Sequence, residues 1–300
     1  MNNLGRFISF AQNGEDVVLN RALSSIERGV YIDVGANDPT EFSITRAFYD
    51  RGWRGIAVEP NPILADRFRA ERPRDLVVQA AATDSEMEVV TLHAIGDTGL
   101  STLVDEIGAR HASNGWSIDE LTVSARRLDD IIVEAGLAET PIHFMTIDTE
   151  GAEGSVLRSI DLSKYRPWVL VIEATAPLTT EPTHREWEHL VMDRGYRYCM
   201  FDGLSRFYVA EEQFESIGAA LSYPAGMFDS FVTVGRLGEE ERIAGLERSK
   251  HDLERKVEAL ASRAARTERA EAELQRLRST WSWRLTRPLR AVRSIRIGPQ

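Results

Sequence analysis

The chain has a single cysteine, Cys199, in 300 residues. No internal disulfide can form, and a reducing compartment is expected. Cys199 lies in the apolar run YRYCMF, which predicts a packed thiol rather than a nucleophile. No 18 apolar residues run together, which excludes a membrane-spanning helix. The start, MNNLGRFISFAQNGEDVV, has no basic segment followed by an apolar one, so no signal peptide is expected and the reading is cytoplasmic. There is no excess of positive charge either. The net charge is −11, which argues against nucleic acid as a partner of the main body.

What is present alternates. Strand-like runs GVYIDVGA (29–36), GIAVEP (55–60), DLVVQAAAT (75–83), IHFMTID (142–148) and WVLVIEA (168–174) are separated by helical patterns at 43–52, 63–72, 128–136 and 152–160. Continuous β-branched runs are the mark of parallel strands covered on both faces. The alternation predicts an α/β fold with a doubly wound sheet. Segments 86–95 and 121–128 read as further extended pieces, 196–210 as an antiparallel hairpin about Asp202-Gly203, and 228–235 as a closing strand.

After residue 237 the composition changes. With Leu246 at heptad position d, the further d residues are Leu253, Leu260, Thr267, Leu274 and Trp281, while the a residues are Ile243, Lys250, Val257, Ala264, Glu271 and Arg278. The good d seam predicts a long helix over 238–280 and a homo-oligomer through 243–281 by coiled-coil pairing; a single solvated helix is the alternative. Residues 278–300 hold six arginines and no acid, leaving −17 on the first 277. The tail 281–300, with Arg287, Arg290 and Arg293 among Leu285, Leu289 and Val292, reads as a basic amphipathic element interrupted at Pro288. It suits peripheral contact with an anionic membrane or with partner enzymes through 281–297. The main body is therefore 1–237.

Open parallel sheets bind ligands at the carboxyl ends of their strands. Here the first strand ends in Asp33-Val34-Gly35-Ala36-Asn37, the second in Glu59-Pro60-Asn61, and the third near Asp84. A dinucleotide site would need GxGxxG and would suffer from acids beside its pyrophosphate; the chain has one glycine where three are required. A nicotinamide-dependent oxidoreductase is disfavoured on that ground. A phosphate-free ligand with a ribose, an adenine amine and a positive sulfonium fits the acids, and S-adenosylmethionine is such a ligand. Glu59 can accept both ribose hydroxyls, Asp84 the adenine amine, and Asp33 with Asn37 can hold the amino-acid portion, while Gly35 permits close approach.

The segments YIDVGANDPTEFSIT, GIAVEPNP, VVQAAATD, RRLDDII and IHFMTIDTEGAEGSVLRSID, with FAQNGEDVVL near the start, resemble the FkbM-type methyltransferases, over roughly residues 7 to 235. The resemblance implies a class I, Rossmann-like, mostly parallel seven-stranded sheet. It also implies S-adenosylmethionine binding by Asp33, Gly35, Asn37, Glu59 and Asp84, and methyl transfer to oxygen, commonly of sugars. Thr146 stands where that family commonly has lysine. The tail SWRLTRPLR is similar to tails of bacterial cell-surface polysaccharide enzymes, which points to a sugar acceptor in a surface polysaccharide or its precursor and to the inner face of the cell membrane.

A hydroxyl attacking a sulfonium must lose a proton, and a carboxylate within reach can take it. Asp148 is the expected base, with Glu150 and Glu173 shaping the pocket. The three carboxylates can also take a divalent ion, although no spacing fixes one. His184 is an alternative base; His93, His111, His143, His189 and His251 show no ligand spacing. In QNGEDVVL, Asn13 is expected to cap a helix whose first turn holds Glu15 and Asp16, with Gln12 or Glu15 facing the ligand, and GLSTL (99–103) is expected on the acceptor side. The contrasting reading is a non-catalytic scaffold of the same fold that oligomerises through its C-terminal helix; it has no need of the acids at the strand ends.

Overall fold

The computed structural model describes residues 6–96 and 98–285. The strands are β1 (Phe7–Ser9), β2 (Val30–Val34), β3 (Arg54–Val58), β4 (Leu76–Val78), β5 (Ala81–Ala82), β6 (Val89–Ala94), β7 (Asp119–Arg126), β8 (Phe144–Ile147), β9 (Val169–Glu173), β10 (Tyr196–Phe201), β11 (Ser205–Ala210) and β12 (Phe231–Thr233). Seven of them form the central sheet in the order β10-β11-β9-β8-β2-β3-β4. β4, β3, β2, β8 and β9 are parallel, β11 is antiparallel to β9, and β10 returns antiparallel to β11. From β2 the chain winds outward through β3 to β4, then crosses to the other side and continues through β8 to β9. The order therefore reverses between β2 and β8, and a crevice opens at their carboxyl ends.

Alternation along the buried strands supplies both faces. Ile32, Val34, Met145, Ile147, Leu170 and Ile172 pack against Leu128, Ile131 and Val156. Tyr31, Phe144, Val169 and Val171 face Val18, Leu19, Phe48 and Trp53 on the opposite side. The hairpin of β10 and β11 forms about Asp202-Gly203 as the sequence predicts. Cys199 packs at the margin of the second core, and burial pushes its thiol up to about 11, which suits a packed group. Beneath β2 the guanidinium of Arg72 is fully buried, paired with Asp75 at 2.6 Å and donating to Tyr31 Oη at 2.8 Å and Thr45 Oγ1 at 3.0 Å. Such a charge is tolerated inside only because every partner is in place.

Several elements differ from the sequence reading. The run 75–83 is not one strand. β4 joins the central sheet, the chain turns at Gln79-Ala80, and β5 pairs with β7 in a separate three-stranded sheet completed by β6. The helix Asp105–Ser113, between β6 and β7, was not expected. β12 pairs in parallel with β1 outside the central sheet. The first helix, Glu15–Ala22, is capped by Gly14 at φ 79° rather than by Asn13, whose amide nitrogen instead donates to the Asp202 carbonyl.

The chain divides after Val234 into two units. The second contains a continuous helix, Val234–Ser279, none of whose residues is buried, followed by Trp281–Leu285. The predicted tail residues Arg287, Pro288, Leu289, Arg290, Val292 and Arg293 lie outside the described residues. Among the described residues no helix is long and apolar enough to cross a membrane. Because the first unit carries the buried core and the long helix buries nothing, a chain ending at Gly238 is expected to remain soluble and to unfold cooperatively, with near-ultraviolet circular dichroism matching the full chain. An insoluble or non-cooperative product would place the boundary elsewhere.

Candidate active site

The crevice begins with a backbone contact. Gly35 has φ +77°, and a Cβ built on it would lie 1.7 Å from the Asp148 carbonyl oxygen. Only glycine fits, both for the left-handed conformation and for the approach. Asp148 N–H donates to Val34 O at 3.0 Å, and Gly35 N–H to Val58 O at 3.0 Å. The ends of β2, β3 and β8 are thereby fixed to one another.

Each expected acid at these ends has a definite place. Asp33 is buried, accepting from Thr45 Oγ1 at 2.6 Å and from Thr146 Oγ1 at 2.7 Å. Each Asp33 oxygen thus accepts from one threonine hydroxyl. Burial raises Asp33, against the hydrogen bonds of the two threonines. Glu59 accepts the N–H groups of Asn37 and Asn61, each at 2.8 Å, and burial pushes it up to about 7. These bonds hold Glu59 under Asn37, whose own φ is 52° and whose Oδ1 is buried with no partner.

Two adjoining hollows share Gly35, Asn37, Gly99 and Asp148 on their walls. The larger is a cavity of about 540 Å3 lined by Glu15, Asp33, Glu41, Asp148, Glu150 and Glu173, with no lysine, arginine or histidine on its wall. The smaller, about 50 Å3, adds to those shared residues Glu59, a few hydroxyls and an apolar lining of Val58, Leu64, Ala81, Leu92 and Leu103. β6 and the loop before helix Asp105–Ser113 supply the last two.

Asp148, Glu150 and Glu173 come together at the ends of β8 and β9. One carboxylate oxygen from each lies within 4.8 Å of the others. Asp148 opens onto the cavity and Glu173 is buried. Burial raises Glu173, and the charges of Asp148 and Glu150 raise it further. Burial likewise raises Glu150, with Asp148 and Glu153 adding to it. Burial also raises Asp148, but a hydrogen bond from Glu173 opposes the rise. Of the three acids, Asp148 faces the cavity, with Glu173 buried beside it. Glu150 Oε2 and Glu173 Oε2 are buried without partners, and hard cations take oxygen ligands of this kind.

Asp84 is not on either wall. It follows β5, which has left the central sheet, and its carboxylate accepts from Ser155 Oγ at 2.5 Å and pairs with Arg158 Nε at 2.6 Å. Against the upward push of burial, these partners hold it below its ordinary range. His184 lies off the cavity wall, in the short helix His184–Glu186. Gln12 and Glu15 do line the cavity, as do Gly99 and Leu100.

Sequence reasoning missed Phe42 and Leu178 on the same wall. Among the described residues, five non-glycine residues have positive φ, and four of them, Asn37, Phe42, Glu150 and Leu178, line this one cavity. Strained backbone of this sort costs about 1–3 kcal/mol per residue and concentrates at functional sites. Nothing in a phenylalanine or leucine codon announces it.

Glu15 gives a pH test. Burial, and then the charge of Asp202, push it from its ordinary 4.5 up to about 8. A carboxyl that holds its proton in the fold but loses it when unfolded weakens the fold as pH rises between those two values. Relative to the parent, Glu15→Gln should therefore gain stability as pH goes from 5 to 8 in urea denaturation. A difference that does not change with pH would show Glu15 ionised in the folded chain.

The methyltransferase FkbM domain matches residues 33–198. No curated protein matches the chain. Among solved structures it is similar to a TehB-like SAM-dependent methyltransferase from Corynebacterium glutamicum, at 11% identity over 66% of this chain and 88% of that one, with a TM-score of 0.37. It is also similar to an O-methyltransferase from Bacillus cereus solved in complex with SAH, at 13% identity over 69% and 83% of the two chains, with a TM-score of 0.33. A third is the Burkholderia thailandensis 1,6-didemethyltoxoflavin-N1-methyltransferase, at 12% identity over 66% and 77%, with a TM-score of 0.32. The family match spans more than half of the chain and begins at Asp33, the first of the buried acids at the crevice, and on that ground the chain belongs to the FkbM methyltransferase domain family.

Proposed function

We propose that the crevice binds S-adenosylmethionine and that the enzyme methylates a hydroxyl of a sugar in a cell-surface polysaccharide or its precursor. The observation that carries the reading is the wall itself: six carboxylates and no cationic side chain around about 540 Å3. That volume lies within the range of small-ligand sites, and the charge suits a ligand with a positive centre. Glu59, beside the apolar cleft, has acceptor capacity left on both oxygens for ribose hydroxyls. Asn37, with its partnerless Oδ1, and Asp33 flank the place for the amino-acid portion. When bound, the cofactor supplies an electrophilic methyl group on a positive sulfur.

The chain's own residues supply position and a proton acceptor. Asp148, facing the cavity, would take the proton of the acceptor hydroxyl. Glu173, buried beside Asp148, would fix its position. Phe42 and Leu178 add exposed apolar side chains to the wall. Proton acceptance by a placed group contributes about 10²–10⁴-fold; the rest is positioning. The arginine pattern of the tail supports work at an anionic, cytoplasmic membrane face, where lipid-linked sugars are assembled.

The partnerless Oε2 atoms of Glu150 and Glu173 favour a second reading of the same cluster, in which a divalent cation sits among the three acids and binds the acceptor hydroxyl. Calorimetry separates the two: titrating Mg²⁺ or Mn²⁺ into chelator-treated protein gives saturable heat, lost in Glu173→Gln, only on the second reading.

For the main proposal, Glu59→Ala should abolish S-adenosylmethionine binding in calorimetry. Asp148→Asn should bind it with little change and fall by about 10²–10⁴ in methyl transfer. Mass spectrometry of surface glycans from cells with and without the gene should show sugars lacking one methylene unit, restored by the parent chain and not by Asp148→Asn. Unchanged glycans would remove the assigned acceptor, and full restoration by Asp148→Asn would remove Asp148 as the base.

A further inference from the structure

The helix Val234–Ser279 is 46 residues long and buries none of them. At about 1.5 Å per residue it extends roughly 69 Å. Helices in water draw most of their stability from packing an apolar face, and this one has such a face. Ile243, Leu246, Leu253, Val257, Leu260 and Leu274 fall on the a and d positions of one heptad frame, and their exposures run from 46% to 64%. We propose that this face pairs with a second copy of the same helix, parallel and in register.

The occupant and its direction follow from the flanking charges. In this frame the g positions are Arg242, Ser249, Lys256, Arg263, Ala270 and Leu277, and the e positions are Glu247, Glu254, Ala261, Glu268 and Gln275. Every charged g residue is basic and every charged e residue is acidic. In a parallel, in-register pair each g residue meets the e residue five positions further along the other chain. Arg242 then meets Glu247 of the second copy, and Arg263 meets its Glu268, twice over by symmetry. An antiparallel pair would set g against g and e against e, bringing like charges together. The charged a residues weaken the pair, since in register Lys250, Glu271 and Arg278 each meet their own copy. Lys250 lies 3.9 Å from Glu254 of its own helix and can carry its charge to the rim while its stem covers the seam. Charged a residues lower the stability of a coiled coil and fix its register.

The test uses the full chain. Light scattering should give twice the chain mass of 33.7 kDa at micromolar concentration. In a Cys199→Ser background, Leu246→Cys should form an inter-chain disulfide under mild oxidation. In an antiparallel pair overlapping along 242–281, residue 246 of one chain would lie about 47 Å from its mate. Reversing the e charges (Glu247→Arg with Glu268→Arg) should weaken self-association by about tenfold. Mixing that chain with one carrying Arg242→Glu and Arg263→Glu should restore pairing. A monomer at every concentration overturns the proposal. So does a dimer that neither cross-links at 246 nor responds to charge reversal, or a mass of three or more chains. None of these readouts depends on methyl transfer.

Discussion

The space between the α-carbon of Gly35 and the carbonyl oxygen of Asp148 admits a hydrogen atom and nothing larger. That contact ties the end of β2 to the end of β8 at the place where the sheet changes its winding direction. Asn37 and Glu150, two residues further along each connection, both take left-handed backbone, and both line the same cavity. The positions of Glu59 beneath Asn37 and of Glu173 beside Asp148 follow from it. The crevice is a property of strand order made specific by one glycine.

The second constraint is electrostatic. Six acids surround a cavity that no lysine, arginine or histidine lines, so their charges are not neutralised within the wall. The chain manages these acids, and Glu59 in the adjoining hollow, in three ways. Asp33 is tethered by two threonine hydroxyls. Glu59 is held by two backbone N–H groups. Glu150 and Glu173 are pushed toward their neutral forms by burial and by one another. The one deeply buried cation nearby, Arg72, spends itself on Asp75, Tyr31 and Thr45 below the sheet edge. Asp148 is the acid of the three-carboxylate cluster that opens to the cavity, which is the placement a proton acceptor requires.

Much of this was legible in residue order. Continuous β-branched runs disclosed the buried parallel strands, and the D-V-G turn disclosed the crevice, because period and turn chemistry are local. Asp148, Glu150 and Glu173 could be grouped because all three end strands. Asp84 could not be placed, since its strand departs from the sheet at Gln79-Ala80 through pairing with β7, some 40 residues distant in sequence. The cap at Gly14 was hidden for a similar reason: the amide of Asn13 is drawn away by a carbonyl at position 202. Phe42 and Leu178 carried no signal at all, because a left-handed backbone at a bulky residue is imposed by tertiary structure.

The all-acid wall also bears on how the enzyme clears itself for another cycle. On the proposed chemistry, the donor enters with a positive sulfur and departs as an uncharged thioether. The cavity therefore attracts fresh donor and loses its hold on the spent one at the instant of reaction, although their remaining atoms are the same. Product inhibition should be mild here, and it should strengthen wherever evolution or design sets a cation among these carboxylates.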